Sequence, residues 1–183
     1  MPHVQESPDG RTPPIVVIGY GNSLRHDDGV GCRIAEAVRG WASPDVRAIA
    51  AGQLTPELAA ELAAARMAIF VDARAASPPA GVRCEEIEPP DAGAPSMAHA
   101  VTPRFLMGLS VAAFGRCARS WIVSVPSRDF SLGEGLSGMA NDGMQIALGV
   151  IDRLIRGSEP DFPLSCPMVD RNDPPAPNSG PRP

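Results

Sequence analysis

Ile15-Val16-Val17-Ile18 is an unbroken β-branched run closed by Gly19-Tyr20-Gly21-Asn22. A short, wholly apolar run of this kind predicts a strand buried on both faces. From Val30 to Val38 the apolar positions 30, 34, 35, 37 and 38 fall on one helical face, and Gly40 follows as a stop. Val46–Ala50 predicts a second strand. Thr55-Pro56-Glu57 reads as a cap followed by proline at the first helical position, opening a helix to about Ala65. Met67-Ala68-Ile69-Phe70-Val71 predicts a third strand that ends at Asp72, and 82–87 a fourth. Residues 88–98 carry no periodicity and read as a loop. Thr102-Pro103 repeats the cap-and-proline signal and opens a helix to about Phe114. Trp121–Val125 predicts a fifth strand closed by Pro126. A loop over 127–136 follows, and Ser137 caps a last helix running to about Arg156.

Strands alternating with helices predict an α/β three-layer sandwich: about five strands in a twisted, mostly parallel sheet, flanked by helices. Ligands of such sheets bind beyond the carboxyl ends of strands. That points to residues 19–29, 72–79 and 126–136, with the loop at 88–99 able to join them.

Composition sets the limits of the folded unit. The chain has 183 residues, with 18 Gly and 21 Pro. Twelve of the prolines lie in 1–14 and 157–183, where they exclude helix and inner strand. The expectation is a flexible head over 1–14, one domain over 15–156, and a flexible proline-rich tail over 157–183. All 16 basic residues are Arg, so Schiff-base and P-loop lysine chemistry is excluded. A net charge of −5 without a basic block argues against nucleic acid as a partner. No apolar run approaches the roughly 18–20 residues of a membrane span, and the opening Met-Pro-His is unlike a signal peptide. Cys32, Cys84, Cys117 and Cys166 form no CxxC pair. A reduced, cytoplasmic setting is the expectation.

The chemistry concentrates in a few residues. Gly19-Tyr20-Gly21-Asn22 stands where a dinucleotide fingerprint would, but Leu24 occupies the place of its third glycine. Asp27-Asp28 would also repel a pyrophosphate at the helix start. One of these two acids is expected to cap the helix, which leaves Asp28 free for a functional role. Asp72 closes an apolar strand at the ligand-binding edge; taken alone it reads as a turn cap. His99 taken alone reads as an exposed loop residue, and His26 as a ligand or a surface residue. Together, Asp28, Asp72 and His99 can converge over the sheet edge from three strand–helix junctions. Carboxylate and imidazole suit a borderline divalent ion such as nickel or zinc, and three protein ligands leave positions open for chemistry. There is no HExxH, no GxSxG and no P-loop.

The order of these motifs resembles the nickel–iron hydrogenase maturation proteases. Gly19-x-Gly21-Asn22, a four-residue spacer, Asp27-Asp28 and Gly29-x-Gly31 match the family's first motif. Phe70-Val71-Asp72-Ala73 matches its strand-closing Asp, and His99-Ala100-Val101-Thr102-Pro103 its H-x-x-[ST]-P. Arg128–Ser137 is similar to a stretch found in some members. The resemblance runs in order over roughly 15–155. It implies an endopeptidase, of aspartyl or metal-dependent type, that removes a C-terminal extension from the hydrogenase large-subunit precursor after nickel insertion. It also implies recognition of that nickel through Asp28, Asp72 and His99, which would form the catalytic site. It further implies that the nickel is carried by the substrate; a monomer acting on the large-subunit precursor is the expectation. Where some members have Glu, this chain has the shorter Asp28. A non-enzymatic nickel-binding or chaperone protein of hydrogenase assembly is the alternative use of the same residues.

Overall fold

The computed structural model describes residues 14–77, 80–91 and 101–158. The expected flexible head and tail, with the exception of Pro14, Gly157 and Ser158, lie outside those residues, as do His99 and Cys166.

Five strands make one sheet: β1 (Ile15–Tyr20), β2 (Val46–Ala51), β3 (Met67–Ala75), β4 (Arg83–Ile87) and β5 (Arg119–Ser127). Their order is β2-β1-β3-β5-β4. The first four in that order run parallel, and β4 closes one edge antiparallel to β5. Alternation along β1 explains the layers. Ile15 and Val17 join a cluster with Ile34 and Val38 of α1 (Val30–Arg39) and Val150, Ile151 and Leu154 of α4 (Gly138–Ile155). Val16 and Ile18 face the other way, into a cluster with Leu62 of α2 (Leu58–Ala64) and Leu106 and Met107 of α3 (Pro103–Phe114). The three-layer α/β sandwich with a mostly parallel five-stranded sheet is thus the observed fold.

Caps form where the sequence placed them. Thr102 accepts from the Phe105 N–H at 3.2 Å, and Ser137 from the Ala140 N–H at 3.2 Å. Several boundaries differ from expectation. α2 begins at Leu58, because Leu58 and Ala59 bond back three residues to the carbonyls of Thr55 and Pro56 and make a tighter first turn. β3 continues through Asp72 to Ala75, and β5 continues through Pro126 to Ser127, because each supplies the other with a parallel partner. β4 stops opposite Ser124, so beyond that point β5 is an edge strand, where proline is tolerated.

Candidate functional site

The site lies at the carboxyl ends of β1 and β3, and glycine backbone brings α1 onto it. A Cβ on Gly19 would strike the Gly31 carbonyl oxygen, and one on Gly31 would strike the carbonyl oxygens of Tyr20 and Val71. The start of α1 therefore rests on the bare backbone of two strands. Gly21 turns the chain out of β1 at φ 134°, a conformation open to glycine. Asn22 then closes the turn twice. Its Oδ1 accepts from the Leu24 N–H at 3.0 Å, and its own N–H donates to Asp28 Oδ2 at 2.9 Å. The motif's glycines and Asn22 thus hold Asp28, half-buried, in a short 3₁₀ turn over His26–Gly29.

Asp27 does something the sequence did not show. It caps no helix of its own: the turn it sits in has no side-chain cap. Its side chain is fully buried and reaches a loop a hundred residues away. Oδ2 accepts from the backbone N–H groups of Arg128 at 2.9 Å and Asp129 at 3.0 Å, and from Ser137 Oγ at 2.8 Å. Oδ1 accepts from the Ser137 N–H at 2.6 Å. Burial works to raise its pKa, but the bonds from Asp129, Ser137 and Arg128 outweigh it and hold the carboxyl below its ordinary value. Further bonds join the same two segments. The His26 N–H donates to the Gly133 carbonyl, the Asp27 N–H to the Asp129 carbonyl, and Arg25 Nε to the Phe130 carbonyl.

Asp72 sits inside β3 rather than at its end, paired with Ser124 of β5. Its neighbour Val71 pairs with Gly19 of β1, which brings Tyr20 alongside. The Tyr20 hydroxyl and the Ala73 N–H both favour the charged form of the Asp72 carboxylate. Burial raises the Asp72 pKa, and the charge of Asp28 raises it further, against those two groups. Tyr20, the chain's single tyrosine, is pushed well up by burial and by the Asp72 charge. It therefore stays protonated and donating. Its position one residue past the β1 core was the available sequence signal.

The charge of Asp28 is thus felt at Asp72, across two separate elements. Each carboxylate keeps lone pairs beyond the bonds described. Oxygen donors of this kind can take a divalent ion. Among the described residues, no group of three or more His, Cys, Asp or Glu is placed to hold a metal, and His99 lies outside them. His26 belongs to the loop contact: its ring packs where a Gly133 Cβ would be.

Three thiols are described, and none is an activated nucleophile. Cys32 lies beneath the turn and donates to the carbonyls of Gly21 at 3.3 Å and Ala51 at 3.2 Å. Its pKa is raised by burial first, then by Glu36 and Asp28. Burial pushes Cys84 up to about 11 and also raises Cys117.

No sequence-family model matches the chain, and no curated protein sequence matches it. Solved structures do. The [NiFe] hydrogenase maturation protease HycI from Thermococcus kodakarensis KOD1 aligns with 79% of this chain and 93% of its own, at 21% identity and TM-score 0.62. The hydrogenase maturating endopeptidase HybD from E. coli aligns with 79% of this chain and 93% of its own, at 22% identity and TM-score 0.60. A hydrogenase 3 maturation protease aligns with 85% of this chain and 97% of its own, at 17% identity and TM-score 0.55. The chain has the fold of these proteases, over nearly their whole length.

Proposed function

We propose that this chain is a hydrogenase maturation endopeptidase that removes the C-terminal extension of a nickel–iron hydrogenase large-subunit precursor once nickel is in place. The observation that carries the reading is the placement of two acids, Asp28 on the turn that leaves β1 and Asp72 inside β3 level with the end of β1, on the side of the sheet where ligands of such folds bind, with the Asp28 charge felt at Asp72. The fold shared with the maturation proteases supports it, as does the order of motifs from Gly19 to Pro103.

In this reading Asp28, Asp72 and His99 take the nickel that the precursor carries. Asn22 and Tyr20 each occupy one face of a carboxylate by donating to it, and so orient the remaining oxygens towards the metal. The peptide bond beside the nickel is cut by water, which the metal's charge polarises. The raised pKa values of Cys32, Cys84 and Cys117 argue against a thiolate nucleophile. The three are free thiols, in keeping with a reduced cytoplasmic setting. No helix among the described residues is long and apolar enough to cross a membrane. The enzyme acts as a monomer on its precursor.

The test is the intact mass of the nickel-loaded precursor after incubation with the wild type and with Asp28→Ala, Asp72→Ala and His99→Ala. The wild type shortens the precursor at its C-terminus and each variant leaves it at full mass. A variant with full activity removes that residue from the site. Precursor that binds the wild type but never changes mass turns the protein into an assembly factor.

A further inference from the structure

Leu24 and Leu132 are two of the most exposed large apolar side chains among the described residues, at 60% and 82% of their full accessible surface. They come from segments a hundred residues apart, yet they are neighbours. Arg25 and Gly133 form a parallel bridge, in which the Gly133 N–H donates to the Leu24 carbonyl and the His26 N–H to the Gly133 carbonyl, both at 2.9 Å. In that register Leu24 stands beside Leu132, since each precedes a bridge partner.

An exposed leucine on a loose loop tells little, but this pair is fixed from below. Arg25 Nε donates to the Phe130 carbonyl at 3.0 Å. Asp27 gathers donors from Arg128, Asp129 and Ser137 on either side of Leu132. Gly133 is held at φ 150°, and the His26 ring fills the place of its missing Cβ. Leu24 also belongs to the turn that orients Asp28, through the Asn22 Oδ1 bond to its N–H. The backbone under both side chains is thus fixed, Leu24 on the turn that carries the proposed metal acid and Leu132 on the loop bonded to that turn. A partner that covers them gains apolar burial without having to order that backbone, against the rotamer freedom of the two side chains alone.

We propose that Leu24 and Leu132 are specificity-determining residues that take apolar side chains of the precursor segment carrying the scissile bond. The proposal rests on the endopeptidase reading and names the substrate contact beside its acids. Charged rims would serve encounter and orientation; two leucines reward only an apolar partner. A precursor segment entering over them reaches the Asp28 turn directly.

The test uses the full chain, its double variant Leu24→Asn/Leu132→Asn, and the conservative double variant Leu24→Met/Leu132→Met. The probe is the nickel-loaded large-subunit precursor of the same organism. Both variants are expected to keep the wild-type melting temperature within about 2 °C, because the replaced side chains are in water. The Asn variant is expected to bind the precursor roughly tenfold more weakly and to lose roughly tenfold in kcat/KM, with the loss carried by KM. The Met variant restores both to within about threefold. An unchanged Kd and KM in the Asn variant overturns the proposal while leaving the protease reading intact. If the wild type binds the precursor without cutting it, the protease reading falls and the Kd values alone decide the leucines. A wild type that does not bind the precursor overturns both.

Discussion

Asp27 and Asp28 are adjacent in sequence and carry the same carboxyl group, but the fold uses them in opposite ways. Asp27 is sealed under the Arg128–Ser137 loop, with both oxygens occupied by four donors. Asp28 remains half-buried, with one backbone donor from Asn22 and a second acid, Asp72, nearby. The first holds two distant segments in register; the second keeps lone pairs available for a ligand. A carboxylate's surroundings thus decide whether its charge is consumed by the fold or left for chemistry. The pKa directions agree: Asp27 is held below its ordinary value and Asp72 lies above it.

The sharpest way to break this contrast is to remove the charge at each acid in turn. Asp27→Asn presents an amide N–H₂ to a pocket of donors and leaves some of them unpaired in the interior. We expect a loss of about 3 kcal/mol in urea unfolding. Asp27 also sets an acid limit. Its depressed pKa makes its contribution complete above the ordinary carboxyl range, near pH 4, and lost as pH falls through the folded value. The variant should therefore show a shallower fall of stability in acid than the wild type.

Gly31→Ala comes next. Its methyl group would enter the carbonyls of Tyr20 and Val71, and the helix must move off the strands. Overpacking of this kind costs about 2 kcal/mol, and it should abolish processing as well, because the same helix start carries Asp28. A stable, fully active Gly31→Ala protein would detach the site from this close packing.

The smallest effect on stability should come from the acid pair, and at Asp72 its sign is reversed. Asp28→Asn can still accept from the Asn22 N–H, so it should change unfolding free energy by less than about 1 kcal/mol. At neutral pH the raised pKa of Asp72 means that its ionised form opposes folding. Asp72→Asn keeps an acceptor for Tyr20 and should stabilise the fold by up to about 1 kcal/mol. Both should remove activity. Destabilisation by Asp72→Asn as large as that of Asp27→Asn would place both acids in the framework.

The sequence made the strands and helices legible because their periodicities are local: the β1 run, the helical stripe of α1, and the caps at Thr102 and Ser137. It made Asp72 legible because an apolar run gives way there to a charge, and Asp28 because two adjacent acids at a helix start are more than a cap needs. What it concealed depends on partners distant in sequence. The apolar run of β3 ends at Val71, but β5 carries the pairing on to Ala75, so Asp72 became a strand residue. Asp27 looked like a helix cap because its true partners lie at 128–137. Tyr20 gains its role from the register that sets β1 beside β3. His99 was singled out by its motif and lies outside the described residues.

The central claim is that the acids read a metal carried by the substrate. Its most direct test is the intact mass of the large-subunit precursor, nickel-loaded and nickel-free, after incubation with this protein under identical conditions. Loss of the C-terminal extension is expected from the nickel-loaded precursor alone. Equal shortening of both forms would contradict it.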